Sequence, residues 1–210
     1  MSITSQMLYG QYQEFIYDDT VRTYAVYEPD LDPDPKGYPL IIGLHGGGSE
    51  GYEFMATAFL VQKANREDFI LVYPNSLCFP ITARWNAGDG YESMTDSTDD
   101  TGFISALIDT MIENYNVDTT RIYVMDFSNG SMITYRVAAE LSHRIASMGG
   151  VSGQMAYEYC DPEFPVPSIH FHGLEDPLCF CEGGPNANGQ AYLPTVDSVM
   201  AVWRGINSCS

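Results

Sequence analysis

The chain has 210 residues, 28 of them acidic and 9 basic, for a net charge of -19. A surface this negative repels phosphate backbones and anionic lipid headgroups, which excludes nucleic-acid binding and argues against a membrane role, while neutral polymers remain admissible as substrates. With 45% hydrophobic residues, a chain of this length buries about 70% of its unfolded surface and needs no metal or disulfide staple, so residues 1–210 read as one domain.

The first residues, Met1 to Gln6, show neither the basic region nor the long apolar core of a secretory signal, and no apolar run is long enough to span a bilayer. A hairpin is predicted from Gln13 to Glu28, turned at Asp18-Asp19. An apolar strand from Pro39 to Leu44 then runs into His45-Gly46-Gly47-Gly48. Glycines let backbone N–H groups turn toward a common point, as an oxyanion hole requires, although a plain glycine turn has the same composition. After a strand near 69–73 comes an irregular stretch from Pro74 to Ser97, carrying Cys78, Trp85 and Tyr91, that is too long for an ordinary connector. It reads as one wall of a substrate cleft, with Trp85 offering an aromatic surface to a phenolic or sugar group, or as a loop whose Trp plugs the core. A helix is predicted from Thr98 to Tyr115. Phe103, Ile104, Leu107, Ile108, Met111 and Ile112 form its apolar stripe, and acids from Asp96 to Asp100 crowd its positive end.

The next segment is the most informative. Arg121-Ile-Tyr-Val-Met-Asp-Phe-Ser128-Asn-Gly-Ser-Met reads as a strand that ends in a serine and turns at once into a helix whose stripe is Met132, Ile133, Val137 and Leu141. This is the layout of a nucleophile elbow, usually G-x-S-x-G. Ser128 is the candidate nucleophile, with an N-cap role as the alternative. Gly130 fits the pattern, but Asp126 stands where the first glycine belongs, and its replacement by glycine is expected to leave turnover unchanged or raise it.

Strands near 147–151 and 168–172 follow, the second stopping at Gly173 with Asp176 three residues beyond. A carboxylate at the carboxyl end of a strand is placed to orient a histidine, and the order Ser then Asp is that of the α/β-hydrolases. Asp176 is the candidate acid and Glu175 its neighbouring alternative. An irregular stretch from Cys179 to Pro194 offers a second rim to the cleft, and a helix closes the chain from Val196 to Asn207. Strands alternating with helices argue for an α/β fold with a mostly parallel sheet covered on both faces. The five cysteines show no zinc-ligand spacing, and Cys179-x-Cys181 is too close for an unstrained bridge.

Five segments in this order resemble the polyhydroxybutyrate depolymerase-like esterases, a group of α/β-hydrolases that includes feruloyl and acetylxylan esterases. They are Trp85-Asn-Ala-Gly88, Asp99-Asp-Thr-Gly-Phe-Ile104, Tyr115 to Val124, Phe127 to Arg136, and His172-Gly-Leu-Glu-Asp176. The resemblance covers residues 35 to 210. It implies a three-layer α/β sandwich and a Ser-His-Asp hydrolase of esters of aromatic acids, acetylated polysaccharides or polyesters. Ser128 would attack, the Asn129 amide with that of Gly47 or Gly48 would hold the oxyanion, and His45 would hold the oxyanion turn. No metal or organic cofactor is implied. Secreted relatives suggest an extracellular location and a bridge from Cys160 or Cys209, with a cytoplasmic location as the other reading.

In that family the catalytic histidine follows a last strand, downstream of a Trp-x-x-x-Asn-x-Cys segment that here is Trp203 to Cys209. The expectation is therefore a domain lacking its last strand and histidine loop. It would show an unpaired sheet edge open to homodimer formation and a partly uncovered inner face on the 196–207 helix. Of the four histidines, His172 is the least unsuited substitute. A catalytically inactive relative kept as a binding or scaffold protein is the alternative function.

Overall fold

The structure, a computed structural model, describes residues 11–30, 34–79, 82–88, 98–156, 160–187, 189 and 192–209. Alternation of side chains organises it. In β3 (Tyr38–Leu44), Leu40, Ile42 and Leu44 point to one face of a sheet, while Ile41 packs on the other. The sheet has seven strands in the order β1-β2-β4-β3-β7-β8-β9. β1 (Gln11–Tyr17) and β2 (Thr20–Tyr27) form the expected hairpin, and Asp18 and Asp19 take the two left-handed turn positions with φ of 48° and 55°. β2 lies antiparallel to β4 (Ile70–Pro74), whereas β4, β3, β7 (Val117–Asp126), β8 (Ser147–Val151) and β9 (Ser168–Phe171) are all parallel.

One face carries α1 (Gly51–Ala58) and α2 (Val61–Glu67), which bury Met55 and Ala64 against Ala25, Tyr27, Leu71 and Tyr73. The other face carries α3 (Asp100–Asn114), α4 (Asn129–Glu140) and α5 (Val196–Ile206) in the larger cluster. The stretch after β4 folds in part into a short hairpin, β5 (Cys78–Phe79) with β6 (Thr82–Ala83); Tyr91 and Asp96 lie outside the described residues. β10 (Gly184–Pro185) and β11 (Tyr192–Leu193) pair within the second irregular stretch. The thiols of Cys179, Cys181 and Cys209 are free, so Cys209 makes no bridge among the described residues. No described helix is long and apolar enough to cross a membrane, and no described group of His, Cys, Asp and Glu is arranged to hold a metal ion.

Two expectations about the far edge part company. β9 is indeed the terminal strand, and its Ile169 and Phe171 are 56% and 58% exposed on the face away from α4. The inner face of α5, however, is covered: Val196, Val199 and Trp203 are buried, with the Trp203 ring 5.7 Å from that of Tyr135. An indole at helical spacing from two valines reaches α4 from its own side of the sheet and needs no further strand.

α3 starts two residues later than predicted, because the Asp99 side chain caps it by accepting the Gly102 amide at 2.9 Å. The next residue, Asp100, is fully buried and ion-paired at 2.8 Å to Arg22, whose guanidinium lies 3.6 Å above the Phe103 ring. Asp100 also accepts the Asn86 amide at 2.8 Å, so one carboxylate joins the hairpin, α3 and the 84–88 loop. Removing one partner of such a pair strands the other charge in the core. Asp100→Asn is therefore expected to lower unfolding free energy by about 3–5 kcal/mol in urea denaturation, and a loss under about 1 kcal/mol would contradict this account.

Candidate active site

β7 runs beside β3 until Leu44 pairs with Asp126, and the Phe127 amide then donates to the Leu44 carbonyl at 3.2 Å. At Ser128 the chain turns with φ 56° and ψ -119°, a backbone region that residues with side chains rarely occupy. Close backbone approaches hold this geometry. The Ser128 amide donates to the Val151 carbonyl at 2.8 Å and its carbonyl accepts from Met132 at 3.1 Å. A Cβ on Gly130 would lie 2.1 Å from the Leu44 oxygen, and one on Gly153 would lie 2.2 Å from the Ser128 oxygen. Gly130 was legible from the motif; Gly153 carried no signal beyond being a glycine after a strand. Ser128 makes no side-chain capping bond, so the N-cap alternative does not hold. Its hydroxyl stands at the carboxyl end of the parallel strands, where an elbow nucleophile belongs.

The glycine turn lies against this elbow. A Cβ on Gly46 would be 3.4 Å from the Ser128 Cβ, and one on Gly47 would be 3.8 Å from the Asn129 Cβ. As the first residue of α4, Asn129 has an amide with no acceptor inside the helix, at the positive end of the helix dipole. The Gly48 amide is already spent on the Ala83 carbonyl at 2.7 Å. That removes Gly48 from the expected oxyanion pair and leaves the amides of Gly47 and Asn129.

Trp85 is not a wall of the cleft. It is fully buried, its indole N–H donates to the His45 carbonyl at 2.9 Å, and its ring sits 5.0 Å from the His45 imidazole. The Asn129 side chain clamps the Trp85 backbone from both sides, accepting its amide at 2.7 Å and donating to its carbonyl at 3.2 Å. A large apolar ring with one donor satisfies that donor inside the core, and here doing so fixes the oxyanion turn. His45 completes the brace. Nδ1 donates to the Gly46 carbonyl at 2.7 Å and Nε2 accepts the Ser76 amide at 3.1 Å, so the ring is a neutral Nδ1–H tautomer. Burial holds its pKa below the usual histidine value, and both nitrogens are used.

Asp126, the departure from the glycine pattern, is 3% exposed beneath the elbow. Its Oδ1 accepts the Val151 amide at 3.0 Å, tying β7 to β8 where the ladder ends, and the Thr134 and Ser131 hydroxyls lie beside the carboxyl. Burial pushes its pKa up to about 7. Replacement by glycine, whose expected effect was on turnover alone, would in addition leave the Val151 amide without its acceptor.

The candidate acid stands on the turn after β9. Asp176 Oδ1 accepts the amides of Leu178 and Cys179, both at 2.9 Å, whereas Glu175 is exposed. Burial raises its pKa, but those amides and the Ser152 hydroxyl outweigh it and hold the carboxyl below its ordinary value. Ser152, unremarked in the sequence, thus links the acid to the strand end that also holds Ser128. None of the four histidines is hydrogen-bonded to Ser128. His143 is exposed beyond the far end of the 12-residue α4, about 18 Å along its axis. His170 and His172 face α4 and the acid turn, and His172 Nε2 is 3.9 Å from Asp176 Oδ2.

Trp85→Phe should lower unfolding free energy by about 1–3 kcal/mol, the cost of leaving the His45 carbonyl without its donor. A cleft-wall residue would instead shift KM and leave the urea midpoint in place. For Asp126, the unfolded chain releases a proton near the ordinary 3.8 and the folded chain only near 7. Between these values the folded state holds more protons, so this group's contribution to stability falls as pH rises through the window and then levels off. Asp126→Asn keeps an acceptor for Val151 without the charge. Its melting temperature should gain on the parent from pH 4 to 7, by up to about 4 kcal/mol of stability, and parallel profiles would refute the assignment.

A family model described as phospholipase/carboxylesterase matches residues 31–189. A bifunctional acetylxylan esterase/xylanase of Neocallimastix patriciarum is 31% identical over 157 residues, 74% of this chain and 21% of its own length. Feruloyl esterase B of Piromyces equi is 25% identical over 197 residues, 90% of this chain and 36% of its own. The chain thus spans less than half the length of these curated relatives. Among solved structures, a thermostable esterase superposes with a TM-score of 0.68 at 19% identity, covering 94% of this chain and 53% of that one. An acetyl xylan esterase from Aspergillus awamori gives a TM-score of 0.58 at 19% identity, covering 70% and 53%. The family match over most of the chain agrees with a mostly parallel sheet and a strained turn at Ser128 between β7 and α4, and the chain belongs to the phospholipase/carboxylesterase family of α/β-hydrolases.

Proposed function

We propose that the protein is a serine carboxylic-ester hydrolase that forms an acyl-enzyme on Ser128, with feruloyl or acetyl esters of plant polysaccharides as its substrate class. The observation that carries this reading is the left-handed backbone of Ser128, with the Gly47 and Asn129 amides beside it. Ser128 Oγ adds to the ester carbonyl, the two amides take the charge on its oxygen, the C–O bond to the alcohol breaks as the serine proton passes to the departing alkoxide, and water then cleaves the acyl-serine to the acid and restores the hydroxyl. Asp176 is the group that orients a base. The reading assigns that base to none of the four histidines in the positions they hold. The substrate class is supported by the relatives named acetylxylan and feruloyl esterases, and the strongly negative surface suits a neutral polymer.

A second reading, an inactive relative that binds esters without cleaving them, is favoured by one observation: no imidazole stands at Ser128. A fluorophosphonate probe separates the two. The esterase reading expects an adduct on Ser128, found by peptide mass spectrometry and lost in Ser128→Ala. Labelling confined to other residues would overturn it, and no labelling would favour the second reading. Where no base is engaged, the oxyanion amides and binding alone sustain a rate about 10³–10⁴ over water, to be read with ethyl ferulate and acetylated xylan in parallel.

A further inference from the structure

A run of buried polar side chains lies beneath β8 that ester cleavage does not itself employ. Gly150 makes room for it: a Cβ there would lie 2.8 Å from Ser131 Oγ, 3.0 Å from His170 Nδ1 and 3.7 Å from the Tyr135 hydroxyl. Tyr135, on α4, is 2% exposed, and its hydroxyl is 2.9 Å from His170 Nδ1. His170 Nε2 is 3.1 Å from His172 Nδ1, and His172 Nε2 is 2.7 Å from the Cys179 carbonyl.

The end group sets the direction of this chain. A carbonyl only accepts, so His172 Nε2 carries a proton and donates it to Cys179. With both rings neutral, His172 Nδ1 then accepts from His170 Nε2–H, and His170 Nδ1 accepts from the Tyr135 hydroxyl. Every donor points from α4 toward the acid turn. Cys179, where the chain ends, also gives its amide to Asp176 Oδ1.

We propose that Tyr135, His170 and His172 are positioning residues, whose one-way hydrogen-bond chain fixes the Asp176 turn relative to the elbow helix α4. The proposal rests on the reading of Asp176 as the acid of the site. It accounts for His170 on the terminal strand β9 and His172 just past its end, two residues on and stacked on it at 5.3 Å. The charged and titratable groups facing the pair are few. Tyr135 comes from α4, with Asp126 of β7 acting on it; Asp176 and the Cys179 thiol come from the acid turn. Burial, reinforced by neighbouring His172, pushes the pKa of His170 down to about 4, and Asp126 becomes neutral below about 7 and offers no countercharge in acid. The one-way chain requires both Nδ1 atoms to be bare, and a proton gained on His170 Nδ1 would face the Tyr135 hydroxyl as a donor instead of accepting from it.

Long-range ¹H–¹⁵N correlation on the labelled 210-residue protein reads the tautomers, and amide hydrogen exchange reads the acid turn. Both rings should show protonated Nε2 and bare Nδ1 at pH 7. Tyr135→Phe keeps the ring against Trp203 and removes the first donor. It should raise the pH midpoint of His170 and speed exchange at Leu178 and Cys179 about tenfold, while Met148 in the neighbouring sheet ladder is unchanged. Should that variant fail to fold, Gly150→Ala displaces His170 by intrusion and should give the same local loss. A proton on Nδ1 of either ring at pH 7, or Leu178 and Cys179 exchange that rises only in step with Met148, would overturn the proposal. Neither readout needs turnover, so a failure of Ser128 labelling and a failure of this chain are told apart.

Discussion

The rest of the site depends on one strained residue. Ser128 stands at φ 56° and ψ -119°, a conformation that costs of order 1–3 kcal/mol and persists only where the surroundings leave no alternative. Two strands and the turn after β8 supply that confinement. β3 presents the Leu44 carbonyl to Gly130 and Phe127, β8 presents Val151 to the Ser128 amide, and Gly153 lets the Ser128 carbonyl pass where a side chain would block it. A serine on a relaxed helix start would turn its hydroxyl to the nearest amide. This one is kept from doing so, and its oxygen is left for chemistry.

Around the strained turn, buried polar groups act as braces. Asp100 holds Arg22 and the Asn86 amide; the adjoining Trp85 holds the His45 carbonyl; His45 holds Gly46; Asn129 holds Trp85 from the other side. Each bond lies in a region closed to water, where a missing partner is expensive. The oxyanion turn is thereby set by residues spread from position 22 to position 129. The acid turn is joined to the same helix through Tyr135 and the two histidines. Asp126 fits this scheme as a strand tie, and its raised pKa is the cost of placing a carboxyl where the family pattern has glycine.

Much of the fold was legible because it rests on periodicity. The Asp18-Asp19 hairpin, the apolar β3, the α3 stripe and the strand-to-helix switch at Ser128 all follow from local spacing, and each lies where the spacing put it. The places of Ser128 at the end of β7, Asn129 at the start of α4, Gly47 in the turn after β3 and Asp176 in the turn after β9 follow from chain order. The misreadings concern direction and contact. Trp85 looks alike from sequence whether it lines a cleft or fills a core, since only the position of His45 decides where its N–H goes. Gly47 and Gly48 are equivalent in the string, and the Ala83 carbonyl, brought near by the β5–β6 hairpin, separates them.

The sequence by itself determined the main strands and helices, the strong negative charge, and which serine ends a strand, because these are properties of composition and of neighbours along the chain. Only the tertiary structure decided that Ser128 is strained rather than capping, that Trp85 braces the oxyanion turn, that Asp126 is buried with a shifted pKa, and that His170 and His172 face α4. Those outcomes depend on backbone atoms from distant segments meeting at hydrogen-bond distance, and no local pattern of residues encodes which carbonyl will be there.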